Sequence, residues 1–139
     1  MTSLDGKLGY QPGSLGIAAL DEPHRTLLRQ FAILPALDDE RFQNAFGTLC
    51  DTIGRDFREE EDMMEAIDFP GLAAHREQHA RVLAGLHHSL AALQHGDYGP
   101  ARRAAVLLPD WFELHISTMD AVLAMALAWH EARTAATPA

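Results

Sequence analysis

Residues 56–79 read DFREEEDMMEAIDFPGLAAHREQH. The triplet Phe69-Pro70-Gly71 in its second half reads as a turn, because proline lacks a backbone N–H and glycine accepts conformations other residues avoid. On both sides of the turn the spacing is helical. Asp56, Glu60 and Met64 succeed one another at four-residue intervals, with Phe57 beside them; after the turn Leu72, His75 and His79 follow at three and four. Residues at i and i+4 share a helix face, with Cβ atoms about 5–6 Å apart. The segment is therefore expected to be an antiparallel helical hairpin whose inner face carries carboxylates and imidazoles among apolar side chains.

Working outward, the helix before the turn is expected to start near Asp38 or Asp39 and to run to about Asp68, with Leu49, Ile53, Phe57, Met64 and Ile67 inward. The helix after it should run from Leu72 to His95 and end in the loop Gly96–Pro100. Upstream, a helix is expected from Asp21, as N-cap, to Pro35, with His24, Leu27, Leu28 and Phe31 on one stripe. Downstream, a helix is expected over about Ala101 to Arg133, kinked or restarted at Pro109, with Phe112, Met119, Val122 and Ala126 inward. No segment alternates as a strand does. The fold class that follows is all-α: an antiparallel up-down-up-down four-helix bundle. It forms a single domain over residues 1–139, with 1–20 as an N-terminal arm and 21–133 as the bundle.

Composition narrows the functional classes. The 139 residues hold 20 acidic and 11 basic side chains, a formal charge of −9, which argues against nucleic acid or an anionic membrane as a partner. No apolar run reaches the roughly 18 residues that span a bilayer, and MTSLDGKLGY has no signal-peptide pattern. Cys50 is the only cysteine, so no internal disulfide forms, and its place in the run Phe46–Ile53 reads as buried packing. The expected location is the cytoplasm.

Seven residues on the inward stripes carry the chemistry: His24, Asp56, Glu60, His75, His79, His115 and Asp120. Any one alone has an ordinary explanation, such as a satisfied core histidine or a solvated carboxylate. Together, four imidazoles and three carboxylates on faces that apolar neighbours mark as inward form a ligand set for two metal ions, because buried ionisable groups are costly unless paired or metallated. A vestigial polar stripe is the bland alternative. His115 and Asp120 are five apart, about 140° around an ideal helix, and converge only from opposite flanks of a metal pair. His87, His88, His95 and His130 lie too far along their helices to join.

LGIAALDEPH (15–24), DFREEEDMM (56–64), FPGLAAHREQH (69–79) and WFELHISTMD (111–120) together resemble the single-domain bacterial hemerythrins. The resemblance covers about residues 15–120. It implies two non-heme iron ions with an oxo or hydroxo bridge. His75, His79 and His115 would be terminal ligands of one iron, His24 a terminal ligand of the other, and Glu60 and Asp120 the bridges. It implies O2, or a related diatomic or peroxide ligand, at an open position of the second iron, for storage, transport or sensing. Any protein partner is left unspecified.

Three positions depart from the family pattern. The family has a histidine where Asp56 stands, aromatic residues at positions aligning with Gly9 and Gly13 (Tyr10 is a potential substitute), and often leucine where Phe112 stands. As a ligand, Asp56 would add a hard anionic oxygen, favour Fe(III), lower the redox potential and make manganese plausible at that site. That shift favours the alternative function, a di-iron oxidase or peroxidase. A short Asp56 that reaches only a metal-bound water, or turns away, would instead weaken the second site.

Overall fold

The computed structural model describes residues 14–136. Helix α1 is Ala18–Ile33, α2 is Asp39–Ala66, α3 is Leu72–Gln94, α4 is Gly99–His115 and α5 is Ala121–Ala136. Between α4 and α5 lies a π-helical turn, Ile116–Asp120, whose flanking residues keep right-handed helical angles. The last three elements therefore make one continuous rod. Four rods with short connections pack in sequence, the fourth closing back on the first, as an all-α four-helix bundle.

Most expected boundaries hold within a residue or two. Asp38 caps α2 by accepting from the Arg41 N–H at 2.9 Å. The turn after α2 places Asp68 at φ +53. Pro35 ends α1 inside a one-turn 3-10 helix, Leu34–Ala36.

Four expectations are corrected. Helix α1 begins three residues early, at Ala18, and its N-cap position is Ile17. Asp21 is buried in the first turn instead, where its carboxylate accepts from the Leu15 N–H at 2.7 Å, the Gly16 N–H at 3.0 Å and the Ser14 hydroxyl at 3.1 Å. Residues 18–20 thus belong to the bundle; the rest of the expected arm before Ser14, including Gly9, Tyr10 and Gly13, lies outside the described residues. Pro109 sits within α4 without a restart. Val122 is 56% exposed rather than inward, and Leu123 and Ala124 are buried. The π-turn explains that last correction, because it takes in one extra residue and shifts the inward face by one position.

The core is split. A large apolar cluster includes Leu27, Phe31, Phe46, Ile53, Phe57, Leu86 and Phe112. A smaller one holds Leu20, Met64, Leu123 and Ala124. Every rod passes from one cluster to the other through a polar residue: His24 between Leu20 and Leu27, Glu60 between Phe57 and Met64, His75 and His79 between Leu72 and Leu86, His115 and Asp120 between Phe112 and Leu123. Burial of each large apolar side chain contributes about 1.5–3 kcal/mol. The two clusters clamp a layer of ionisable groups that could not stabilise the fold by themselves.

Candidate metal centre

The polar layer brings six of the seven expected residues together, all of them buried. Their donor atoms form two groups with one shared member: Glu60 with His75, His79 and His115, and Glu60 with His24 and Asp120. The three imidazoles of the first group are arranged almost as an equilateral triangle, with ring centroids 5.0, 5.1 and 5.3 Å apart. Glu60 Oε1 lies 3.0 Å from His75 Nε2, 3.2 Å from His79 Nε2 and 3.9 Å from His115 Nε2. Asp120 Oδ1 lies 2.8 Å from His75 Nε2 and 3.2 Å from His115 Nε2.

The second oxygen of each carboxylate faces the other way. Asp120 Oδ2 is 3.1 Å from His24 Nε2, and Glu60 Oε2 is 3.9 Å from it. Two carboxylates that each turn one oxygen to either side have the form of a double bridge. Asp120 reaches this place because the π-turn's i→i+5 bonding winds less tightly than an α-turn. His115 and Asp120, which an ideal α-helix would splay, end on one face.

Neighbouring side chains fix the imidazoles. The His79 Nδ1–H donates to Glu61 Oε2 at 2.8 Å, and Arg76 holds the other Glu61 oxygen at 3.4 Å. The His115 Nδ1–H donates to Gln78 Oε1 at 3.3 Å. Such bonds aim Nε2 into the cluster and raise its basicity as a ligand. Phe57 stacks flat on His79 at 3.7 Å, and Trp111 on His115 at 4.8 Å. Glu61, Gln78 and Trp111 stand in the quoted motifs, but their supporting roles escape a reading of the sequence. Glu61 stands in an acidic run and Gln78 on an exposed stretch, but the four-residue step from Trp111 to His115 is a signal that could have found the tryptophan.

The electrostatics describe a cluster that holds protons where cations would go. Burial pulls the His24 and His75 pKa values down, but hydrogen bonds to Asp120 and Glu60 outweigh it and raise both to about 9. His115 is raised by the same partners against the same burial. Burial likewise works against ionised Glu60 and Asp120, yet the surrounding imidazoles hold both well below the usual carboxylate range. The fit to a metal rests on a different observation. His79 Nε2, His115 Nε2 and Glu60 Oε1 are fully buried and close together, yet none makes a well-directed hydrogen bond. One donor atom from each of Glu60, His75, His79 and His115 lies within 4.8 Å of the others. Buried polar atoms without partners are rare, and neutral imidazole nitrogen with carboxylate oxygen is a donor set for a transition metal.

Asp56 is the seventh residue, and it stands outside both donor groups. Its carboxylate is 3.7 Å from the Arg55 guanidinium. Burial and the neighbouring acids Glu59 and Glu60 push its pKa up to about 6, against Arg55 and His24. A cavity of about 20 Å³ lies beside it, lined by His24, Glu60, Leu20 and Met63 among others. Asp56, Glu59 and Pro23 separate that cavity from a surface bay of about 250 Å³ that also includes Glu22 and Arg55. The second donor group also has the less supported histidine, since His24 Nδ1 is buried without a partner.

Fold and site define a helical-bundle protein with a candidate metal centre built from histidine and carboxylate donors. Comparison with known proteins agrees: residues 15–127 match the Hemerythrin HHE cation binding domain, and the chain belongs to the hemerythrin family. It is 32% identical over 114 residues to a protein named Bacteriohemerythrin from Ralstonia nicotianae (strain ATCC BAA-1114 / GMI1000), an alignment that covers 82% of this chain and 83% of the relative. No solved structure gives a significant match. Among the described residues, no helix is long and apolar enough to cross a membrane.

Proposed function

We propose that this protein binds O2 at a non-heme di-iron centre in its helical bundle, for storage, transport or sensing. The observation that carries the reading is the pair of carboxylates, Glu60 and Asp120, each offering one oxygen to the three-histidine side and one to the His24 side. That arrangement suits two cations rather than one. His75, His79 and His115 would hold the first iron and His24 the second, with Glu60 and Asp120 between them. Bound there, the iron pair supplies electrons for reversible O2 binding. The chain's own residues orient the donors, exclude bulk water and limit what enters.

The cavity beside His24 supports a small ligand. A space of about 20 Å³ suits one water-sized molecule, since a single water occupies about 10–15 Å³ of such volume. It argues against an organic substrate. The enzymatic alternative, di-iron oxidation or peroxide breakdown, draws on Asp56 as an extra anionic ligand. Asp56 lies against Arg55 and outside the donor groups, which favours O2 binding instead. The single cysteine, free and buried, fits a reducing compartment, and we place the protein in the cytoplasm.

Anaerobic reduction followed by stepwise O2 addition tests the proposal. The expected result is a visible absorption change that saturates with O2 and reverses when O2 is removed. Continuous O2 consumption in the presence of reductant, with no reversible spectral change, would favour the enzyme.

A further inference from the structure

The fourth rod is apolar on two opposite faces. Its inward face carries Ala105, Phe112, Ile116 and Leu123. Its outward face carries Val106, Leu107, Leu114, Val122, Met125 and Trp129, each 56–72% exposed; these are six of the seven large apolar side chains most exposed among the described residues. They form one stripe. Leu107 and Leu114 are seven apart, Leu114 and Val122 are eight because the π-turn absorbs a residue, and Met125 and Trp129 continue at three and four. A helix apolar all round is normally covered, and contiguous exposed apolar patches mark contact sites.

We propose that this face pairs with the same face of a second copy of the chain, the two fourth rods running antiparallel about a two-fold axis near Val122. Charge along the stripe is self-complementary in that register. Asp110 and Glu113 lie on its first half, and Arg133, whose guanidinium sits 4.6 Å over the Trp129 ring, closes its far end. A two-fold axis near Val122 sets Asp110 against the Arg133 of the other copy, Leu114 against Trp129, and Thr118 against Met125. Shifting the axis toward Ser117 would oppose Arg103 and Arg133, two like charges. A contact between identical patches is the isologous form that two-fold dimers use.

Small polar residues also lie about one turn from the axis. Ser117 and Thr118 are small, and both hydroxyls donate to the Leu114 carbonyl, at 3.2 and 2.6 Å. The π-turn therefore leaves those hydroxyls no need of water. The stripe from Val106 to Trp129 is about 35 Å long and one helix, about 10 Å, wide. Two such stripes cover about 700 Å² in total, below the range of stable interfaces and in that of weak transient ones, so the dimer is reversible.

Light scattering after size exclusion, on metal-loaded protein from dilute to sub-millimolar concentration, tests this. The expected mass rises from one chain to two. Leu114→Glu and Trp129→Glu should each leave a monomer of unchanged helicity and metal content. Asp110→Arg or Arg133→Glu alone should weaken the dimer by about tenfold or more, and the double charge swap should restore it. A wild-type chain that stays monomeric, a dimer indifferent to Leu114→Glu, or a double swap no better than the single variants would overturn the proposal. So would a monomer that partitions onto lipid vesicles, which would assign the face to a membrane surface.

Discussion

At the scale of single residues, the question turns on Asp56. The seven-residue constellation is visible in the sequence because helical spacing places donors among apolar neighbours, and six of the seven meet in one layer. What spacing cannot convey is reach. Asp56 lies one turn before Glu60 on the same face, yet its short side chain ends beside Arg55 and not among the donors. The two sides of the centre are consequently unequal. The first has three imidazoles, two of them braced through Nδ1 by Glu61 and Gln78. The second has one imidazole with an unpartnered Nδ1. Titration with a chelator should therefore remove one metal per chain well before the other. Asp56→His should slow loss of the first-released metal by about 10-fold or more, as expected for a gained ligand, and should prolong the oxygenated spectrum. Equal release of both metals from the wild type, or an Asp56→His variant that releases them no more slowly, would remove this argument.

At the scale of elements, four helices and their turns can be read from periodicity, caps and prolines, and three of their inward faces are correct. The fourth is only half legible. A period of 3.6 continued through Phe112 and Met119 points to Val122, but the π-turn at Ile116–Asp120 advances the face to Leu123 and Ala124. Sequence spacing holds no sign of that turn except the five-residue step from His115 to Asp120, which an α-helix cannot bring onto one face. Pro109 points to a kink or a restart, and of these the restart does not occur, since α4 runs on through it. Its ring still removes one backbone hydrogen bond, a cost of about 3 kcal/mol in a helix interior. Pro109→Ala is expected to raise unfolding stability by about 1–3 kcal/mol, measured in urea. An unchanged or lowered midpoint would mean that the packing around Pro109 has absorbed the cost.

At the scale of the whole molecule, the bundle works as two apolar clusters that hold an ionisable layer between them. Cys50 reports on the larger cluster. Burial raises its thiol to about 11, with a smaller push from Asp51. A thiol reagent should therefore leave the native protein almost untouched at pH 8 and react at once after unfolding. The same shift has a definite sign for stability. The unfolded chain gives up this proton near the ordinary thiol value while the folded chain keeps it, so Cys50 favours the fold below pH 9 and that contribution falls away between about pH 9 and 11. Cys50→Ser should remove this part of the alkaline dependence; a denaturation profile identical to the wild type over that range would refute it. The ionisable layer itself is explained only by what it binds, because so many buried imidazoles and carboxylates would otherwise weaken the fold. Counting the metal in freshly purified protein tests that claim most directly. Two iron ions per chain are expected, falling below one on Glu60→Ala because both donor groups share that residue. One metal per chain, or a Glu60→Ala variant that keeps two, would contradict a carboxylate-bridged pair.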